Sequence, residues 1–182
     1  MLTVALGVGF GLSYFALTDA RPIGALQVGP WSAWPDAGSA TPDPYTRAYL
    51  ARTGALELGL SEGLQFLAVN DSAGRPLDRA CRYRIEGATP VASFWTLVAL
   101  DLQGVNIARP DGLAAVHSAR VARSESGIAR FYVSRGLAPY TWLEITGDGP
   151  FSLALTLYDV SIVGGAGSTV VDLPEIVQEG CA

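Results

Sequence analysis

The stretch "CRYRIEG", residues 81–87, alternates with a period of two: Cys81, Tyr83 and Ile85 fall on one side, Arg82, Arg84 and Glu86 on the other. Successive side chains of a strand point to opposite faces, so this run reads as a strand with one face in a core and one in water. Comparable runs are "LQFLAVND" (64–71), "AAVHSARV" (114–121), "GIARFYVS" (127–134), "TWLEITG" (141–147) and "DGPFSLALTLYD" (148–159). "SFWTLVALD" (93–101) is apolar on both faces and predicts a central strand. The turn signals "SAGRP", "ARSES" and "GDGP" punctuate them. Seven or eight short strands so spaced predict a mainly β fold, an antiparallel jelly-roll-like β-sandwich. There is no internal repeat and no sign of a second domain.

One segment breaks the pattern. "DPYTRAYLARTG" (43–54) reads as a single short helix, with Asp43 as N-cap, Pro44 in the first turn and Gly54 as the stop. Tyr45, Ala48, Tyr49 and Arg52 share one face at helical spacing. Ahead of it, "IGALQVGPWSAW" (23–34) reads as one strand and "PDAGSATPDP" (35–44) as a loop.

The front of the chain, "MLTVALGVGFGLSYFAL", has no charged side chain before Asp19. Seventeen apolar or small residues are at the short limit for a bilayer span. A cleaved secretory signal needs a basic start and a small-residue cleavage site, and "TDA" at 18–20 is a poor one. The expectation is an uncleaved signal anchor at 1–18, a sandwich at 19–163 and a C-terminal tail at 164–182. That places the domain in the periplasm on a single-pass bacterial inner-membrane protein, although Arg21 gives no positive-inside support. Gly7 and Gly11 have the spacing of a helix-packing seam for a homo-oligomer, against ordinary use of glycine in such segments.

The two cysteines, Cys81 and Cys181, fit an exported chain. In an oxidising compartment they would staple the C-terminal segment to the body; the competing reading is one buried thiol and one free. The formal net charge of −5, with twelve arginines and no basic run, argues against a nucleic-acid partner.

"GLSEG" (59–63) matches the nucleophile-elbow pattern, but a helix precedes it and a strand follows, the reverse of what exposes that serine, so Ser61 reads as a turn residue. His117 is the only histidine, which excludes a multi-histidine metal site and makes a framework role the default. No metal or cofactor is expected. Trp31, Trp34, Trp95 and Trp142 read as core or rim residues before they read as a ligand platform. The loop "GVNIARPDG" (104–112) is a second candidate rim.

The order of segments carries a resemblance. "VGPW", "DPYTRAYLARTGAL", "SEGLQFLAVNDSAGRPLDRACRYRIEG", "FWTLVALDLQG" and "GPFSLALTLYD", with a late cysteine, resemble family 1214 of the domains of unknown function in its short membrane-anchored bacterial form. The resemblance runs from about residue 26 to the end and is most specific over 43–85. It implies a jelly-roll-like sandwich, an envelope location and a partner of the family-1254 type, and it carries no catalytic role. The matching positions are Tyr45, Arg47, Arg52, Glu62, Cys81, Tyr83 and Trp95. The chain departs at Thr141-Trp142, where the family tends to asparagine–tryptophan, and at Thr156, where it tends to arginine; a proline usual behind that last tyrosine is also absent.

Two functions follow as expectations. One is an accessory or binding module for a partner envelope protein or ligand, with Tyr45, Arg47, Tyr49, Arg52, Glu62 and His117 as the binding candidates. The alternative is an envelope hydrolase acting on lipid or glycan through a cluster of Arg47, Arg52, Glu62 and His117. The two are separated by whether those four side chains converge in a cleft.

Overall fold

In the computed structural model of the chain, residues 2–18, 25–54, 58–59, 62–88, 92–121, 123, 127–159 and 172–181 are described. Among these described residues, two helices and ten strands run in the order α1 (Leu2–Thr18), β1 (Leu26–Val28), β2 (Trp31–Ala33), α2 (Pro44–Thr53), β3 (Gly63–Ala68), β4 (Cys81–Gly87), β5 (Phe94–Leu100), β6 (Val116–His117), β7 (Ala129–Ser134), β8 (Thr141–Glu144), β9 (Ser152–Tyr158) and β10 (Glu175–Cys181). A short 3-10 turn, Pro35–Gly38, precedes α2.

The strands form two sheets. One has six strands in the order β1-β2-β3-β9-β5-β6, all antiparallel; the other has four, β10-β4-β7-β8. Their inward residues make one core. Phe66, Trp95, Leu97, Leu153 and Leu157 come from the first sheet, and Tyr83, Ile85, Phe131, Val133 and Ile176 from the second. Trp95 stacks on Phe131 across the interface at 5.9 Å. Each strand donates alternate residues, so the period-two runs set which side chains reach that core.

The fold is a mainly β structure of two sheets, as expected. The antiparallel expectation fails at one pair: β7 and β8 run parallel, in register Phe131 with Thr141 and Ser134 with Glu144. Their connection, residues 135–140, is much shorter than the usual crossover. It reverses through Tyr140, whose φ is 60°, and Trp142 Nε1 ties it back by donating to Ser134 O at 3.1 Å. A jelly-roll topology is not established by this strand order.

Three other expectations change. Residues 23–34 do not make one strand: Gly29 and Pro30 turn the chain so that β1 and β2 form a hairpin, Val28 opposite Trp31, with Gly29 at a φ of 57°. The stretch 114–121 contributes only Val116 and His117. The expected tail contains an edge strand, β10, paired with β4 from Glu175↔Glu86 to Cys181↔Cys81 with one irregularity at 178–180. Cys81 and Cys181 form the disulfide expected of them.

Helix α2 has the predicted ends. Asp43 caps it by accepting from the backbone N–H groups of Tyr45 and Thr46, and Gly54 closes it in a left-handed conformation at φ 64°. Helix α1 is apolar on every side, and Val4, Leu6, Val8, Phe10, Leu12 and Tyr14 are each more than half exposed. At about 1.5 Å per residue it is ~25 Å long, against the ~30 Å of a hydrocarbon core. Among the described residues, no helix is long and apolar enough to cross a membrane, so the expected transmembrane helix is not found.

Candidate functional site

Of the residues singled out in the sequence, Glu62 and His117 are kept apart by the sheet order. Tyr45 and Arg47 are exposed on α2, and Arg52 is exposed in its last turn. Tyr49 lies on α2, but its side chain falls outside the described residues, as does Ser61 altogether. Glu62 is exposed ahead of β3, and its carboxylate accepts from the backbone of its own turn, Gly59 N, at 3.4 Å. His117 lies on β6. Two strands, β9 and β5, stand between β6 and β3, so three strand spacings of ~4.8 Å, about 14 Å, separate Glu62 from His117 along the sheet. The acid and the histidine therefore do not form a pair.

His117 belongs to a different arrangement. Gln65, Thr156, Thr96 and His117 stand in direct cross-strand register on β3, β9, β5 and β6, on the face turned away from the core. Gln65 Nε2 donates to Thr156 Oγ1 at 3.2 Å. At the end of this polar row the His117 ring packs beside Phe94 at 5.7 Å, and Nδ1 is buried without a partner among the described residues. Thr156 sits in the middle of the row and is almost fully buried.

The tryptophans divide. Trp31 and Trp95 are fully buried, and Trp31 Nε1 donates to Pro174 O at 2.8 Å. Trp34 lines a cavity of about 390 Å³ together with Ser32, Leu67, Asp71 and Gly74, between the β1–β2 hairpin and the turn after β3. Asp71 anchors that turn. Burial pushes its carboxyl up, but the Arg75 guanidinium and the backbone N–H groups of Ala73 and Arg75 outweigh burial and hold it below the ordinary carboxylate range. The 104–112 loop lines neither this cavity nor the next; its Ile107 is buried and its Arg109 pairs with Glu144 at 2.9 Å.

A larger cleft, about 600 Å³, opens at the end of the four-stranded sheet around the disulfide. It is lined by Arg79, Arg82 and Arg135, by Ser134, and by Glu179, Gly180 and the Cys81–Cys181 bridge. Arg79 precedes β4, Arg82 is on its solvent side, and Arg135 leaves β7. Pairing of β4 with β7 and with β10 brings these distant residues together. Beneath the cleft, Tyr83 is buried and its hydroxyl accepts from Asp78 N at 2.8 Å; burial raises its phenol above the usual range. Sequence reasoning placed Arg82 and Arg84 on a solvated face and passed over Arg79 and Arg135. The "DRACRYR" run held the only local signal, a density of arginines unusual for an acidic chain.

A family model described as "Protein of unknown function (DUF1214)" matches residues 62–161. Among solved structures the chain is similar to the VPA0106 protein from Vibrio parahaemolyticus, with 18% identity and a TM-score of 0.59, over 74% of this chain and 35% of that one. It is also similar to an uncharacterized protein from Burkholderia cenocepacia, with 12% identity and a TM-score of 0.44, over 78% of this chain and 46% of that one. The chain thus spans less than half the length of either protein, and the first likeness bears on the fold alone. No curated protein matches the chain in sequence.

Proposed function

This chain belongs to the DUF1214 family of proteins of unknown function, and from that premise we propose that it is an accessory binding module of the bacterial envelope. In this reading α1 holds it at the inner membrane and the sandwich faces the periplasm, where it docks a partner protein or a ligand. The observation that carries the reading is the arginine-lined cleft: a concave surface of ligand size, with three guanidinium groups and one carboxylate on its walls, on a chain of net charge −5. The hydrolase alternative has no comparable support, because Glu62 and His117 lie on opposite sides of two intervening strands.

The placement at a membrane is supported by α1, whose described side chains are exposed and mostly apolar. So much exposed apolar surface is unfavourable in water, and a bilayer or a second apolar helix is what satisfies it. The faces at Gly7 and Gly11 are open, with no atom within 4 Å of where a side chain would begin, so a second copy of α1 is a natural occupant. The disulfide supports an oxidising compartment. The partner we favour is an integral protein or one of the family-1254 type.

The test is extraction of the full-length chain from washed inner membranes in mild detergent, with chemical cross-linking before lysis. Retention in the membrane fraction and a stoichiometric, cross-linkable partner are expected. A monomer recovered from the soluble fraction without a partner overturns the proposal.

A further inference from the structure

We propose that the cleft beside the Cys81–Cys181 bridge is a site for a phosphoryl oxyanion, an inference that rests on the binding-module reading and gives its ligand a chemical class. The charge balance of the surrounding sheet points there. On the outer face of the four-stranded sheet, Glu86 pairs with both Arg84 and Arg130, and Glu179 pairs with Arg84 at 3.1 Å. Those arginines are compensated. At the cleft only one of three is: Arg135 pairs with Asp148, which is 86% exposed to water, while Glu179, the carboxylate on the cleft wall, is engaged by Arg84. No carboxylate among the described residues pairs with Arg79 or Arg82.

Each of those two guanidinium groups is held by a backbone carbonyl instead. Arg79 Nη1 donates to Thr146 O at 3.3 Å and Arg82 Nη2 to Leu137 O at 3.1 Å. This fixes the forks while leaving donors over. One of them, Arg79 Nε, is buried and has no acceptor among the described residues. A buried N–H without an acceptor is costly, and a group made only of acceptors removes that cost. Gly147 makes the arrangement feasible: a side chain there would begin 2.7 Å from Arg79 Nη1.

An oxyanion with several equivalent oxygens suits such a wall. Guanidinium forks bind phosphoryl groups through paired hydrogen bonds, and three such side chains can address different oxygens of one group. The volume, about 600 Å³, leaves room for whatever the phosphoryl group is attached to. Two sources share this chemistry, a soluble phosphate ester and a phospholipid headgroup.

The experiment uses the full-length chain in an uncharged detergent and two probes. Inorganic phosphate is titrated against thermal melting at constant ionic strength, with sodium chloride as balance. Separately, flotation is compared with vesicles of phosphatidylcholine alone and of phosphatidylcholine with phosphatidylglycerol. The variants are Arg82→Gln with Arg135→Gln, both exposed positions, and Arg79→Lys, which keeps the charge and removes the fork. Should the double variant melt before the assay, the two single substitutions replace it. Any contribution of α1 to flotation is the same in wild type and variants.

A saturable rise in melting temperature with phosphate, weakened about tenfold or more in apparent affinity in the variants, supports the site with a soluble ligand. A preference for phosphatidylglycerol vesicles that the variants lose supports it with a headgroup. Absence of both effects, or their persistence in the variants, overturns it. Such a failure leaves the partner co-purification untouched, so it is distinguishable from failure of the binding-module reading.

Discussion

Ser72 holds Ile176 from both sides. Its backbone N–H donates to the Ile176 carbonyl at 2.9 Å, and its hydroxyl accepts from the Ile176 N–H at 2.9 Å. The turn that leaves β3 in one sheet thereby clamps the edge strand β10 of the other, so the two layers are joined by hydrogen bonds as well as by packing.

Ser72→Ala removes half of this clamp and leaves the Ile176 N–H without its acceptor. A loss of about 1 kcal/mol is expected in urea unfolding, with an unchanged slope. A variant as stable as wild type would mean that water replaces the hydroxyl at no cost.

Reduction of Cys81–Cys181 is expected to lower the melting temperature. The bridge closes a loop with a sequence separation of 100, for which chain entropy alone gives up to about 4.7 kcal/mol. Because β10 is also hydrogen-bonded to β4 and clamped at Ser72, the reduced protein should stay folded and exchange amide hydrogens fastest toward Cys181. Identical melting with and without reductant would show that the bridge contributes nothing.

The acid side of the stability profile should run through Asp71. Its native carboxyl titrates below the ordinary value, so its contribution is fully present above the unfolded carboxylate range, near pH 4, and is lost as pH falls through the lowered native value. Asp71→Asn should cost about 2 kcal/mol at pH 7, because charged hydrogen bonds to Arg75 and two backbone N–H groups are lost. The gap between variant and wild type should narrow toward pH 2 in denaturant titrations; a gap independent of pH would place the effect elsewhere.

Gly63→Ala is expected to be disruptive. An added Cβ would lie 2.1 Å from the Leu157 carbonyl oxygen on the neighbouring strand, so β3 and β9 would have to separate at that end. A cost of at least about 2 kcal/mol is expected, seen as a lower denaturation midpoint. Gly74→Ala is a poor control because of its φ of 82°; Gly136→Ala, with open space around it, should be close to neutral.

What could be read from the residues was what local chemistry decides. Tyr83 and Ile85 point inward and Arg82 outward because alternation in one strand settles it. Asp43 and Gly54 end α2 because caps are local as well. The Gly29-Pro30 turn was equally local, and its dipeptide signal was outweighed by the apolar residues on either side. The parallel pairing of β7 with β8 was not legible, since a connection of six residues, 135–140, ordinarily makes an antiparallel hairpin. The arginine cleft was out of reach for the same reason. Arg79 and Arg135 are 56 positions apart, and only the register between β4 and β7 makes them neighbours. Whether Glu62 and His117 come together, as the hydrolase alternative requires, depends on sheet order, which no single segment encodes.

The pairing of β4 with β10 has a consequence for biogenesis. One long edge of β4 is covered by β7, some forty-odd residues downstream, but its other edge stays bare until β10 arrives, nearly a hundred residues after β4 itself. A chain delivered end-first across a membrane would spend that interval with an arginine-rich but unpaired strand edge open to other chains. Folding of this chain should therefore be slow for its size, because closing the β4 edge waits on a strand so distant in the sequence.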